Sequence, residues 1–429
     1  MFSQKDLKRS RTTIIVQSLL EYMVSLLVTG TFLSAILKNI GVSDATSGIV
    51  SSFVSLMCVV QIFSGFVVRQ NRSTKKQMLL LTMLAQGLFA SLYLIPYLPI
   101  AQEGKVVVFI VVDLAAYALN SLGAPAKSRW HMRFITPGER GSFSAKNEMV
   151  SLIGGMLYTL LMGALVDHYK AIDKAEQGFV VCGILLFVVA ILNLVCVFLC
   201  ADEDRSALSA KPMRLQDGIT LISRNPALKH LLVMDLLNKI GLYLTTPFYG
   251  TYLIGELGFS LTFTAVLSAI YSITRTLVSP YIGRQNDKRG WCYGLLLGSL
   301  LIAAGLGMNV FLTPKTRYFY IGYYVLYAIA NAGLNSASAY ITFDFVPVRE
   351  YALALGIRNA ISGVLGFLIT LLGSAIVRKM QAGGNLLLGK TVYAQQVLSF
   401  AGMLAMLGMA AYVRFVIQKI PKISQEEET

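Results

Sequence analysis

The chain has 429 residues, 55% of them hydrophobic and 14% charged, with a formal net charge of +15 and a mean hydropathy of +0.64. A soluble domain carries about a quarter charged residues, so the composition excludes a soluble fold and defines an integral membrane protein. The positive balance calls for no nucleic-acid partner, because it lies in short loops where basic side chains meet anionic lipid headgroups.

Crossing ~30 Å of hydrocarbon takes about 20 apolar residues in a helix. Twelve runs meet that length, at approximately 12–37, 46–68, 77–98, 105–125, 142–166, 178–200, 228–254, 261–283, 291–312, 318–341, 352–377 and 391–417. They are predicted helices, because a backbone in lipid must satisfy its own hydrogen bonds and runs this long do not read as barrel strands. The fold class is therefore an all-α integral membrane protein.

Taken in order, the basic segment Met1 to Arg11 resembles a signal n-region, but the apolar run after it is too long and lacks a small-residue cleavage site, so the first helix should be retained. That helix carries Glu21 in its apolar middle, with Gln17, Tyr22 and Ser25 nearby; the second ends at Gly65. The fourth carries Asp113 near mid-depth and Asn120 two turns later. The fifth opens with Lys146, Asn147 and Glu148 and holds Gly154, Gly155 and Gly163. A polar stretch over 201–225, beginning Asp202-Glu203-Asp204-Arg205, divides a bundle at 1–200 from one at 226–429 and contains a sequence suited to a short surface helix.

In the second half, the seventh span carries Asp235, Asn238, Lys239 and Tyr243, and the eighth carries Tyr271 and Arg275 before ending at Gly283. Tyr327 and Asn331 lie in the tenth. The eleventh has Arg358 and Asn359, read as shallow gate or snorkelling groups, and a glycine series at Gly356, Gly363, Gly366 and Gly373. The cysteines at 58, 182, 196, 200 and 292 lie in spans or at their edges without metal-ligand or disulfide spacing and read as packing residues.

Basic residues fix the orientation. With the N-terminus inside, 24 Lys and Arg fall on that side and 9 on the other, which predicts both termini in the cytoplasm. Landmarks then repeat at a spacing of roughly 209 to 218: Glu21 answers Asp235, Gly41-Val-Ser answers Gly258-Phe-Ser, Gly65 answers Gly283, Pro137-Gly-Glu-Arg140 answers Pro347-Val-Arg349, and Asn147 answers Asn359. Two six-helix halves of this kind are a known transporter plan.

The segment Gly283-Arg-Gln-Asn-Asp287-Lys288-Arg289-Gly290 resembles the G-x-x-x-D-[RK]-x-G loop of the major facilitator superfamily (MFS), and the twelve spans, six-plus-six repeat and central linker extend the resemblance over nearly the full length. The resemblance implies the MFS fold of two pseudo-symmetric six-helix bundles. It also implies a cytoplasmic gate in which Asp287 and Lys288 latch against Arg349 or Arg140, with Gly65, Gly283 and Gly290 at the helix ends. The first half departs from the pattern by placing Arg69 where the family usually has aspartate. The fourth and fifth spans lack the R-x-x-x-G and Gly-Pro signatures of many drug:proton antiporters.

A charge at the bilayer centre costs at least ~2.5 to 3.5 kcal/mol and normally faces a cavity or a partner. Glu21, Asp113, Asp235, Lys239 and Arg275, with Asn120, Asn238 and Asn331, are therefore the candidate substrate or proton site. Asp235 and Lys239, one turn apart, share a helix face on which they can neutralise one another. Arg275 has Asp113, Glu21 or Asp235 as possible partners, and a carboxylate that alternates between a cation and the aqueous phase would load and release a proton.

No P-loop is present to drive a pump, and His131, His168 and His230 form no catalytic or metal pattern. The expected activity is secondary transport of a small solute by alternating access, coupled to protons, by a monomer in the cell membrane with no cofactor. Alternatives are a drug or metabolite efflux antiporter, an uncoupled facilitator, and a membrane sensor that keeps the transporter fold without flux.

Overall fold

The computed structural model describes residues 4–64, 73–135, 140–202, 215–387 and 390–422. Every predicted run is mainly helical where it is described. Nine helices are long and apolar enough to cross a membrane among these residues, or ten when the bent pair Gln4–Leu27 and Gly30–Asn39 counts as one span. No more than half of each such window is buried. Large apolar side chains such as Leu277, Phe415 and Phe198 point outward, as a hydrocarbon solvent requires.

The seventh and tenth predicted spans are not among these helices. The seventh is broken into Pro226–Tyr243 and Thr246–Gly255. The tenth, Phe319–Tyr340, is continuous but carries Tyr320, Tyr323, Tyr324, Tyr327 and Tyr340 with Asn331 and Asn335. Tyr320, Tyr323 and Asn331 are buried, as polar side chains within a membrane helix require, while Asn335 and Tyr340 towards the helix end are exposed.

The break in the seventh span has a counterpart in the first. There the chain turns by 42° between Leu27 and Gly30, whose φ of +58° suits glycine. The carbonyls freed by the break are re-satisfied from other helices: Tyr93 Oη donates to Leu27 O at 2.7 Å and Tyr117 Oη to Val28 O at 3.0 Å. In the seventh span Thr245 Oγ1 donates to Leu242 O at 3.1 Å and Thr370 Oγ1 to Tyr243 O at 3.2 Å, while Pro247 opens the second half-helix where an N–H would be unmatched anyway.

The chain folds as two compact units, Met1–Ser43 with Val60–Pro212 and Phe259–Ala269, and Asp44–Val59 with Met213–Gly258 and Ile270–Thr429. A core of the first gathers Ile14, Met78, Leu81, Ala126, Trp130, Phe134, Val197 and Cys200. One of the second gathers Ala45, Leu244, Phe248, Ile369, Val377, Ala394 and Leu398.

Each unit thus takes in a segment of the opposite sequence half. In the second unit Ser55 Oγ donates to Gly363 O at 3.1 Å, Ser374 Oγ to Ala45 O at 2.9 Å and Gln381 Nε2 to Asp44 Oδ2 at 2.7 Å. A Cβ at Gly363 would lie 2.4 Å from Ser55 O, so only glycine admits this approach. In the first unit Asp167 caps the start of the eighth helix, accepting from Leu261 N at 3.2 Å and Thr262 N at 2.6 Å, and Thr264 Oγ1 meets Thr31 Oγ1 at 3.2 Å. Apart from these exchanged segments, the compact units part within the 201–225 stretch. Within that stretch a helix, Leu215–Arg224, packs Gly218 against Ile357.

Candidate functional site

In the first unit, the middle of the first helix sets Glu21 beside the far end of the fourth. Lys127 Nζ stands 2.6 Å from Glu21 Oε2, and Gln17 Nε2, one turn back, donates to Oε1 at 3.1 Å. The pair is about three-quarters buried. His131, one turn beyond Lys127, has a buried Nε2 without a hydrogen-bond partner among the described residues. The apolar pattern ends the fourth span near residue 125 and leaves Lys127 in a loop. The helix instead carries Pro125 internally and runs from Gln102 to Met132, which brings the lysine to Glu21.

Asp113 lies in the same unit with 0% exposure, and neither carboxylate oxygen has a hydrogen-bond partner among the described residues. One turn along the helix, Tyr117 caps the broken end of the first span, so this carboxylate sits next to the discontinuity. Asn120 is exposed on the same helix and is not drawn into the Glu21 pair.

In the second unit the expected Asp235–Lys239 pair does not form. Arg358 Nε and Nη2 fork onto the two oxygens of Asp235 at 2.9 and 2.8 Å, and Arg358 Nη1 also donates to Ser338 O at 3.1 Å and to Thr342 Oγ1. Arg358 is 2% exposed and Asp235 7%, so Arg358 is a buried partner of Asp235 rather than a group that snorkels to water. A planar guanidinium matches a carboxylate with two parallel bonds, which a lysine one turn away cannot do. The apolar residues on both sides of Gly356-Ile-Arg358-Asn were the sequence signal for its burial.

Lys239, released from Asp235, has its ammonium 4.5 Å from the centroid of the Tyr243 ring. Arg275 Nη1 donates to Tyr271 Oη at 3.1 Å, a tyrosine partner where the sequence offered three carboxylates. Asn331 Nδ2 donates to its own helix at Tyr327 O, 2.8 Å away, and Asn238 Oδ1 is buried without a hydrogen-bond partner among the described residues.

Sequence reasoning treated the tyrosines singly and missed that they form one stack. Tyr271 packs on Tyr324 and Tyr327 with centroids 6.1 and 5.8 Å apart, Tyr323 stacks on Tyr327 at 5.6 Å, and Tyr249 meets Tyr320 and Tyr323 at 5.3 and 5.4 Å. The period of Tyr320, Tyr323, Tyr324 and Tyr327 was the available signal, since it puts all four rings on one helix face.

The inner-gate residues are partly accessible. Gly65 lies outside the described residues, and Arg140 and Arg349 begin or adjoin helix starts with their side chains outside that description. The helix Leu261–Arg289 runs straight through Gly283, where an added Cβ would meet nothing within 4 Å, so close helix approach does not require glycine there. Gly290, with φ +84°, does need it. Asp287 and Lys288 are exposed, whereas Asn286, the residue before them, is 1% exposed and donates to Gly333 O at 3.4 Å.

A model of the Major Facilitator Superfamily matches residues 14–370 and again 231–426, and the chain belongs to that family of membrane transporters. The second match begins where the landmark spacing puts the second repeat. Solved structures share the fold. The nucleoside transporter NupG aligns with TM-score 0.69 at 13% identity over 96% of this chain and 99% of its own. A D-xylose–proton symporter aligns with TM-score 0.67 at 12% identity over 93% and 96%, and a bacterial homologue of the human lysosomal transporter Spinster, in an inward-facing and unoccupied conformation, with 0.62 at 15% over 96% of both chains. No curated protein sequence matches.

Proposed function

We propose that the chain is a proton-coupled secondary transporter of a small solute, working as a monomer by alternating access in the cell membrane with both termini in the cytoplasm. The observation that carries the coupling is Asp113. Glu21 and Asp235 are each held by a cation, whereas Asp113 is fully buried and has no hydrogen-bond partner among the described residues. A buried carboxylate is tolerated in hydrocarbon only when neutralised. A proton taken up on one side and released on the other neutralises it and gives the gradient a handle. One of the fold neighbours is a D-xylose–proton symporter, which agrees with this reading.

The six-helix halves at 1–200 and 226–429 are the elements proposed to move, with Asp287, Lys288, Arg140 and Arg349 as an inner latch. Anionic lipid would bind the basic cytoplasmic side, and no enzymatic chemistry is assigned. Purified protein in liposomes, loaded with unlabelled solute and tested for counterflow of a labelled panel of nucleosides, sugars and organic acids, decides the class. Counterflow of any member supports transport, and its absence across the panel favours a sensor.

A further inference from the structure

We infer that the second unit carries a binding surface for a flat organic anion, with Lys239 as its charge contact and the tyrosine stack as its platform. The inference deepens the transport reading by naming a substrate class, and it rests on three observations in one unit.

The first is electrostatic. The carboxylate nearest Lys239 along the helix, Asp235, is bound on both oxygens by Arg358, so it does not balance the lysine. The ammonium lies instead against the Tyr243 ring. A half-buried ammonium inside a membrane protein is expensive without an anion, and a ring face returns only part of the lost hydration.

The second is the division of labour among the tyrosines. Tyr320 and Tyr323 are 2% exposed and Tyr249 is 4% exposed, its hydroxyl bonded to Asn309 and Ser399. These three are framework. Tyr271 and Tyr327 are half-buried, and their rings belong to the part of the stack that is still accessible, while Tyr243, also half-buried, lies under the Lys239 ammonium and interacts electrostatically with Tyr327. Tyr327 lies against Tyr271 at 5.8 Å, which extends the ring surface from the tenth helix to the eighth.

The third is the adjoining polar equipment. Arg275 reaches the same surface through Tyr271 Oη and so adds a second cation to it. Rings that accept a planar partner by stacking, beside an ammonium that accepts a carboxylate or sulfonate, describe an aromatic anion. A cationic amphiphile would be repelled by Lys239, and a sugar would leave its charge unmatched.

The test is equilibrium binding to the purified full chain, measured by thermal shift and calorimetry, so it does not depend on flux. Phenylacetate, 2-naphthoate and benzenesulfonate are the probes, with cyclohexylacetate and phenethylamine as matched controls. At least one aromatic anion should bind, more tightly than cyclohexylacetate and at least ~10-fold more tightly than phenethylamine. Lys239→Gln should weaken that anion by at least ~10-fold, Lys239→Arg should keep it within a few-fold, and Tyr327→Leu should erase the preference for the ring over cyclohexylacetate. The unliganded melting temperature of each variant reports folding separately. Failure of all three aromatic anions to bind, tighter binding of phenethylamine, or an unchanged affinity in Lys239→Gln would overturn the inference. Binding without counterflow would leave it standing and remove the transport reading instead.

Discussion

Asp235→Asn isolates the Asp235–Arg358 ion pair of the second unit. Arg358 makes four hydrogen bonds there, two to Asp235 and one each to Ser338 O and Thr342 Oγ1, at 2% exposure. Asp235→Asn keeps one acceptor oxygen and removes the countercharge, leaving a guanidinium that cannot shed its proton. Breaking a buried pair from one side costs about 3–5 kcal/mol, which is roughly a hundred-fold to several thousand-fold in the folding equilibrium. The double change Asp235→Leu with Arg358→Met removes both charges and, at similar volume, should return to within about 1–2 kcal/mol of the parent. Unfolding by a graded detergent titration in mixed micelles reads both quantities. A single-variant cost under about 1 kcal/mol, or a double variant no better than the single, would refute the claim that this pair is a structural clamp.

Four further outcomes are expected. Glu21→Gln should cost less than the second pair, about 1–2 kcal/mol, because that pair keeps some solvent contact and Gln17 can still bond the amide; an equal or larger loss in the same titration would contradict it. Asp167→Ala should remove the cap on the eighth helix at a cost of about 0.5–2 kcal/mol and raise amide exchange at Leu261 and Thr262 above that of the rest of the helix; unchanged protection there would count against the cap. Gly363→Leu should clash with the Ser55 carbonyl and lower stability by about 1–3 kcal/mol, whereas Gly283→Ala, where nothing lies within 4 Å, should be neutral or slightly stabilising by thermal shift. Cys182→Ala should leave binding of an aromatic anion within a few-fold of the parent, because Cys182 is 0% exposed in the helix Ala175–Leu199 and serves packing alone; a larger loss of affinity by calorimetry would give the thiol a role beyond packing.

How much the sequence disclosed depended on whether a feature was local. The spans were readable because apolar length is set by hydrocarbon thickness, and the duplication because Glu21 and Asp235 keep their spacing in the two halves. The pairing of the charges was not readable. Asp235 and Lys239 are neighbours on one face, but a guanidinium 123 positions away wins by bidentate geometry. Lys127 was hidden by Pro125, which reads as a helix end yet is accommodated inside a 31-residue helix. The repeat itself misleads here: it preserves the carboxylate in the first and seventh spans, while the partner cation comes from the fourth in one half and the eleventh in the other. The exchanged segments around Ser55 and Thr264 also escaped notice, because close glycine contact is a property of two faces, and a single face carries no sign of it.

Proton coupling through Asp113 is the claim on which the functional account turns. The decisive measurement compares the parent with Asp113→Asn in proteoliposomes, using a solute identified by counterflow and recording both counterflow and accumulation under an imposed pH gradient. Accumulation above equilibrium is expected in the parent, and in the variant retained counterflow with no response to the gradient. Gradient-driven accumulation that survives unchanged in Asp113→Asn would contradict it.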